Sequence, residues 1–206
     1  RVIKEEMIRL NRDGVLAAKE ELKAKNVTVD WVVAAADLDV GKSVAAIETA
    51  IAQQYDAIGV VALAEGVVPA INKAVEAGIP VATFVADVKD SKRLFFHGQD
   101  LYGAGVVAGQ TMAEEIGGKG KVGIITGFFG VGAHELRLNG FVDALKDYPE
   151  VEVIGKWENH DKGEEAYALA QNMMTSTPDL KGIYVTAGGP FGSAKAVQEA
   201  GKTGEI

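Results

Sequence analysis

Short apolar segments alternate with longer amphipathic segments along most of the 206-residue chain. The short segments are rich in Val, Ile and Ala, whereas the longer ones repeat apolar residues at intervals of three and four positions. This alternation predicts parallel strands joined by helices, because the connection between parallel strands is long enough to hold a helix. Strands are predicted at residues 27–34, 57–61, 79–84, 94–96, 122–126, 151–154 and 182–185.

Helices are predicted wherever the three-to-four-residue repeat is sustained, and several have recognisable ends. Asp39 and Asp100 precede helices as N-caps, Gly117 and Gly118 follow one, and Pro190 stands at a first helical position. The predicted helices are residues 1–25, 44–54, 65–78, 100–116, 134–145, 164–174 and 191–199. The expected fold class is therefore α/β, with parallel sheets covered by helices.

The elements fall into two blocks, residues 1–99 and residues 100–206. Segment 85–93, VADVKDSKR, is the most polar and least periodic stretch between them. A crossing of the chain from one α/β lobe to the other is predicted near this segment.

Composition narrows the classes of function. Hydrophobic residues make up 48% of the chain and charged residues 24%, as in an ordinary globular protein. The net charge of −8 argues against a nucleic-acid partner, since phosphate contacts need clustered Lys and Arg. No apolar run approaches the 18 or more residues of a membrane span, so no direct membrane insertion is expected. The absence of cysteine excludes disulfides and thiolate chemistry.

The sequence carries no recognisable catalytic motif. His97, His134 and His160 do not have zinc-binding spacing, and no Gly-x-Ser-x-Gly nucleophile motif is present. The glycines of segment 127–132 lack the Gly-x-Gly-x-x-Gly spacing of a dinucleotide site. We therefore predict a binding protein without a metal or cofactor, and a nucleotide-using α/β enzyme is the alternative from another class.

Segment 122–141, VGIITGFFGVGAHELRLNGF, leads from a strand through a glycine-rich turn into a helix. In open α/β sheets, ligands bind beyond the carboxyl ends of the strands. Arg137 lies within the first two turns of the helix that follows, and its guanidinium group carries five donors suited to a polar ligand. The alternative is an exposed helical Arg paired with a nearby carboxylate.

Several segments, in their order along the chain, resemble those of type I periplasmic binding proteins, especially the sugar-binding branch that includes ribose-binding protein. The same module forms the effector domain of LacI-type repressors. The segments that carry the resemblance are 11–14 (NRDG), 17–19 (AAK), 55–61 (YDAIGVV), 70–81 (AINKAVEAGIPV), 99–105 (QDLYGAG), 137–141 (RLNGF) and 182–185 (GIYV).

The resemblance implies two Rossmann-like lobes joined by three crossings, with the ligand in the cleft between them and closure by a hinge motion. It also implies a chain that is incomplete at both ends, because the family's first strand would precede the first helix and further elements would follow residue 206. The implied function is the solute-binding module of a sugar-type ABC importer, periplasmic or extracytoplasmic, whose partners are a sugar-like small molecule and a permease or receptor. The effector domain of a LacI-type regulator or of a sensor is the alternative.

The resemblance also indicates which residues contact the ligand. Arg137 matches the Arg of the family's Arg-x-x-Gly-Phe pattern, which contacts ligand oxygens. Gln99 and Asp100 stand where the family places a polar pair at the first crossing, although Asp100 also suits a helix cap. Asp87 follows strand 79–84, two residues later than the family's Asp that accepts bonds from sugar hydroxyls.

The remaining candidates follow other strands. Asp37 follows predicted strand 27–34 and Glu65 follows 57–61, which are the second and third strands in the family's order. Both lie on the ligand side of the sheet, and capping is the alternative for Glu65. Phe129 can stack on a sugar ring or serve in packing. Asn159 lies in a loop that is a ligand position in the family, and Gly188 can bring a backbone N–H group close to a ligand.

Segment 186–192, TAGGPFG, departs from the resemblance, because sugar binders of this family often have an Asn-Asp pair there. The missing carboxylate argues against a simple pentose or hexose and favours a modified, phosphorylated or otherwise anionic ligand. The acidic candidates elsewhere argue the other way.

Overall fold

The computed structural model describes residues 2–33 and 39–206, with the side chains of the first helix described from residue 9 onward. These residues form two compact units, Val2–Gly98 and Gln99–Ile206. Each unit contains a parallel sheet flanked by helices. The predicted α/β class, with parallel sheets covered by helices, is therefore confirmed.

In the first unit, two of the three α-helices contribute to the core of a three-stranded parallel sheet. Its elements are α1 (Val2–Lys23), α2 (Val40–Ala52), β1 (Ile58–Val60), a 3-10 turn (Glu65–Val67), α3 (Val68–Glu76), β2 (Val81–Phe84) and β3 (Phe95–His97). Among the described residues the strand order is β1-β2-β3. Asp39 starts α2 as predicted, because its carboxylate accepts the N–H groups of Gly41 and Lys42. Ile47 and Ile71 bury the two helices against Val81 of the central strand.

The second unit is a three-layer arrangement of helices on both faces of a parallel sheet. Its elements are α4 (Leu101–Glu115), β4 (Lys119–Thr126), α5 (Gly132–Leu145), β5 (Glu150–Glu158), α6 (Gly163–Ser176), β6 (Leu180–Val185) and α7 (Pro190–Glu199). The strand order is β5-β4-β6, and both pairings are parallel.

The central strand β4 is buried on both faces, which explains its continuous apolar run. Val122 and Ile124 join the core beneath α4 and α5, which includes Phe141. Ile125 points to the other face, where it joins Met173 beneath α6 and α7. This alternation is the two-residue period of a strand.

The carboxyl ends of β4, β5 and β6 meet at one edge of the sheet, because the three strands are parallel. The segments that follow them are the glycine-rich turn (residues 127–131), the 159–162 loop and the 186–189 loop. We call these three segments the edge loops. Each leads into a helix, so helix N-termini also gather at this edge.

Helices α4 and α5 approach each other closely through two glycines. A Cβ atom at Gly105 would overlap the backbone carbonyl of Arg137, and one at Gly140 would overlap the carbonyl of Tyr102. Only glycine permits such an approach. The pair fixes the position of α5, and therefore of Arg137, relative to α4.

The predicted strand at residues 27–34 is the main error in the sequence analysis. Residues 27–33 form no strand, Val32 and Val33 are 67% and 55% exposed, and residue 34 lies outside the described residues. A strand is held by hydrogen bonds to a neighbour, and no strand among the described residues runs alongside this segment. An apolar run of β-branched residues is therefore not sufficient to form a strand.

Strands β4 and β5 are longer than predicted. Strand β4 begins at Lys119, three residues before the predicted start at residue 122. Strand β5 continues to Glu158 and pairs with β4 along its whole length. The polar residues at these strand ends conceal the strands from a pattern based on hydrophobicity.

Candidate ligand-binding site

Arg137 lies on α5, half-buried, with its guanidinium group directed to neutral acceptors. Its Nη1 donates to the backbone oxygen of Thr186 at 3.3 Å, and its Nη2 donates to Oε1 of Gln99 at 3.4 Å. No carboxylate in residues 9–33 or 39–206 lies within ion-pair distance of it, so the exposed, paired Arg considered above is not observed. The remaining N–H donors of its guanidinium group can bind ligand oxygens.

Gln99 and Asp100 have different roles although they are adjacent. Gln99 is exposed and reaches Arg137 with its side-chain oxygen. Asp100 caps α4, where its Oδ1 accepts the N–H of Gly103 at 2.9 Å. The structure therefore brings Gln99 and Arg137 together, and it confirms the capping role of Asp100. A ligand contact by either residue stays a prediction.

Asn159 connects two of the edge loops. Its side chain is fully buried, and Nδ2 donates to the backbone oxygens of Gly188 at 2.6 Å and Lys162 at 3.3 Å. The N–H of Gly188 donates in turn to Oδ1 of Asp161 at 2.9 Å. Asn159 and Gly188, both predicted as ligand contacts, thus bind each other, and both backbone polar groups of Gly188 are used within the protein.

The 159–162 loop has a backbone that is unusual for non-glycine residues. His160 and Asp161 have φ angles of 51° and 56°, in the left-handed region. Backbone hydrogen bonds hold the loop to the end of β4, since the N–H of Asn159 donates to Thr126 and that of His160 donates to Gly127, each at 2.9 Å. Such a conformation persists only where its surroundings fix it.

The glycine-rich turn is held by side chains that accept three successive backbone N–H groups. The N–H of Phe128 donates to Nδ1 of His134 at 3.1 Å, that of Phe129 to Oε1 of Glu158, and that of Gly130 to Oε1 of Glu135 at 3.2 Å. Two of the three acceptors are carboxylates. These side chains hold the backbone of the turn, and two of them place negative charge beside it.

The two phenylalanines of the turn differ in exposure. Phe129 is 48% exposed, so its ring is accessible to a ligand. Stacking of this ring on a sugar stays a prediction. Phe128 is half-buried and packs edge-to-face on His160, with 5.3 Å between the ring centroids.

His134 is a residue of this edge that the sequence analysis did not single out. Burial lowers the pKa of its imidazole below the ordinary 6.5, and the charge of Arg137 adds to this, whereas Asp161 and Glu135 oppose it. The neutral form is the one that accepts the N–H of Phe128. The sequence feature that could have identified it is a histidine in the first turn of a helix that follows a glycine-rich turn.

Asp87 lies in the first unit, in a compact group with Arg93 and Thr83. Its Oδ1 accepts Arg93 Nε at 2.5 Å and Thr83 Oγ1 at 2.6 Å, and its Oδ2 accepts Arg93 Nη2 at 2.6 Å. The carboxylate thus holds the loop after β2. A bond from a ligand hydroxyl to Asp87 stays a prediction.

The last two candidates are less informative. Glu65 is exposed at the start of the 3-10 turn that leads into α3. Asp37 lies outside the described residues. In the part of the chain that the structure describes, no group of three or more His, Asp or Glu side chains is arranged to hold a metal ion. No helix there combines the length and apolar character needed to cross a bilayer.

Comparison with known proteins places these features in context. A family model described as "Periplasmic binding protein domain" matches residues 12–206. The chain is 30% identical over 185 residues to the xylitol-binding protein of Mycolicibacterium smegmatis, an alignment that covers 88% of this chain and 52% of that protein. The chain spans between 52% and 62% of the length of the curated relatives it matches.

Two solved structures agree closely with this fold. A glucose-galactose binding protein from Geobacillus stearothermophilus superimposes with a TM-score of 0.85 at 30% identity, covering 96% of this chain and 70% of that one. A sugar ABC transporter sugar-binding protein from Bacillus halodurans gives a TM-score of 0.83 at 33% identity, covering 93% and 66%. These relatives are binding proteins rather than enzymes.

Proposed function

The chain belongs to the family of periplasmic binding protein domains, and from this premise we propose that it binds a neutral sugar or sugar alcohol as the solute-binding module of an ABC importer. The observation that carries the proposal is the guanidinium group of Arg137, whose acceptors among the described residues are all neutral, at the edge where parallel strands place ligands. Gln99 and the exposed ring of Phe129 belong to the same unit and provide a polar and an apolar contact.

The charges around the edge loops support a neutral ligand. Glu158 and Glu135 accept the N–H groups of the glycine-rich turn, and Asp161 accepts the N–H of Gly188. A phosphate would have to displace these carboxylates from the backbone donors that usually bind anions. The phosphorylated or anionic ligand considered from the sequence is therefore disfavoured, because the donors it needs are already occupied.

The names of the relatives agree with this class of ligand. Xylitol, glucose and galactose are neutral polyols, and they are bound by the relatives named above. The relative from Bacillus halodurans belongs to a sugar ABC transporter. A permease partner and an extracytoplasmic location of the protein are part of the same proposal.

Calorimetric titration tests the proposal with a panel of pentoses, hexoses, pentitols and sugar phosphates. We expect one of the neutral compounds to bind with a micromolar dissociation constant, about −8 kcal/mol. We expect the phosphates to bind more weakly or not at all. A sugar phosphate that binds more tightly than its parent sugar would contradict the neutral-ligand proposal.

The substitution Arg137→Ala tests the assigned contact. We expect the affinity for the neutral ligand to fall by an amount equivalent to about 1.5–3 kcal/mol, because a charge-assisted hydrogen bond is lost. Arg12→Ala is the matched control, since it removes the same side chain from an exposed pair with Asp13 on α1. Equal affinities of the two variants, with unchanged melting temperatures, would remove Arg137 from the site.

A further inference from the structure

We propose that His134 is a positioning residue that holds the glycine-rich turn in its binding conformation only while its imidazole is neutral, so that acidification weakens ligand binding. The inference deepens the proposed function and rests on it for the ligand.

The hydrogen bond from Phe128 to His134 depends on the protonation state. Nδ1 of the imidazole accepts the backbone N–H of Phe128 at 3.1 Å. A protonated imidazole carries hydrogen on both ring nitrogens and accepts nothing. Protonation at Nδ1 would therefore set two donors against each other at the first residues of the turn.

The imidazole ring also packs against the backbone of the turn. Gly127 is buried, and a Cβ atom there would lie 2.6 Å from Cε1 of His134 and would also overlap the carboxylate of Asp161. The imidazole and the Asp161 carboxylate therefore both pack against Gly127 of the turn. A displaced ring would lose this contact as well as the hydrogen bond from Phe128.

The same contacts lead from His134 to the proposed ligand contact. Asp161, which packs near His134, accepts the N–H of Gly188 in the 186–189 loop. Thr186 begins that loop and accepts Nη1 of Arg137, one helical turn after His134 on α5. A charge on His134 would therefore disturb the loop that orients Arg137, and it would also place a second cation beside Arg137.

The charged groups around His134 do not reverse the preference of its imidazole for the neutral form. Burial is the largest cause and lowers the pKa of His134 below 6.5. Among the neighbouring charges, Arg137 also favours the neutral form, whereas Asp161 and Glu135 favour the protonated form. For a histidine whose pKa is lowered by folding, the stabilisation is complete above its ordinary pKa. It is lost progressively as the pH falls from that value through the lowered pKa.

The test compares ligand affinity between about pH 7.5 and about pH 5 in three proteins. They are the unmodified chain, His134→Asn, whose amide oxygen can accept the N–H of Phe128 at any pH, and the control His97→Asn, which alters an exposed histidine of the first unit. We expect affinity to fall about three- to tenfold on acidification in the unmodified chain and in His97→Asn, since one unit of pKa change on binding corresponds to tenfold in affinity. We expect His134→Asn to bind well at neutral pH and to show little pH dependence.

Heteronuclear NMR of the ligand-free chain separates this inference from the proposed function. We expect the amide resonance of Phe128 to follow the titration of the His134 imidazole, and this coupling to be absent in His134→Asn. If the coupling is seen but no compound of the panel binds, the positioning role stands and the proposed function fails. If a ligand binds but the Phe128 amide is insensitive to His134, or if His134→Asn keeps the pH dependence of affinity, the inference is wrong.

Discussion

At the scale of single residues, the pair of Asp87 and Arg93 shows how a loop is held by charge. The side chains are 10% and 19% exposed, so water screens their attraction only weakly. Burial alone would raise the pKa of Asp87, but hydrogen bonds from Arg93 and Thr83 outweigh it, and the net pKa is lowered. The hydrogen bonds of this pair hold the segment that follows β2 in place.

We predict that Asp87→Asn destabilises the protein by about 2 kcal/mol, because it leaves a largely buried guanidinium group without its charge partner. Chemical denaturation measures the free energy of unfolding. Asp179→Asn, which removes a 65% exposed partner of Lys121, is the matched control and should have little effect. Equal effects of the two substitutions would show that burial of the Asp87–Arg93 pair adds nothing to the free energy of unfolding.

The pH dependence of stability gives a second measurement on the same pair. Folding lowers the pKa of Asp87 below the ordinary value of 3.8. The contribution of Asp87 to the free energy of unfolding is therefore present above pH 3.8 and is lost as the pH falls through the lowered pKa. Melting temperatures recorded below about pH 4 should therefore fall more steeply in the unmodified chain than in Asp87→Asn.

Sequence reasoning at this scale succeeds where a role is local. The caps at Asp39 and Asp100 were predictable, because a capping side chain binds N–H groups two or three residues away. The role of Asp87 was not predictable, because only the path of the loop brings its partner Arg93 within hydrogen-bond distance. That path includes Val85 with a φ angle of 66°, a conformation that no pattern of residue types predicts for a valine.

At the scale of elements, the close contact of α4 and α5 links packing to the candidate site. Gly105 touches the backbone of Arg137 itself, so the spacing of the two helices and the location of the guanidinium group are set together. Apolar periodicity indicated both helices, but not their separation. That separation depends on which residues of two distant segments face each other.

We predict that Gly105→Ala lowers the free energy of unfolding by about 1–3 kcal/mol, because the added methyl group forces the helices apart. It should also weaken ligand binding, since it displaces Arg137. Gly14→Ala in α1 is the control, because a Cβ atom there meets no atom of the described residues within 4 Å. That change should stabilise the protein by up to about 1 kcal/mol, as alanine favours a helix. Circular dichroism on denaturation measures both, and a harmless Gly105→Ala would contradict the packing argument.

Predicted elements match the structure wherever the residue pattern of a segment is enough to determine its secondary structure. Helices α1 to α7 and strands β1 to β6 all overlap predicted segments. The segment 27–33 differs, because a strand also needs a partner, and whether one lies alongside is a property of the assembled sheet.

At the scale of the whole molecule, the candidate site of the second unit depends on sheet topology. Parallel strands were predictable from the alternation of elements, and they alone bring the edge loops to one side of the sheet. The hydrogen bonds that join the loops were not predictable: Asn159 donates to the backbone oxygen of Gly188, and the N–H of Gly188 donates to Asp161. They connect loops that follow different strands, and their partners emerge only with the strand order.

We predict that ligand binding slows backbone hydrogen exchange most strongly in the edge loops of the second unit. At a ligand concentration one hundred times the dissociation constant, the folded state gains about 2.7 kcal/mol. Hydrogen-exchange mass spectrometry measures the effect, with the exposed surface of α1 as an internal reference. Protection spread evenly over the chain would indicate general stabilisation without a site at these loops.

The strand order β5-β4-β6 has a consequence for the synthesis of the protein. Strand β4 lies in the centre of its sheet but leaves the ribosome first, before β5, which begins at Glu150, and β6, which begins at Leu180. At translation rates of roughly 5–20 residues per second, both edges of a nearly continuous apolar strand stay open for on the order of seconds. A nascent chain halted between β4 and β6 is thus the form most exposed to aggregation and most in need of a chaperone.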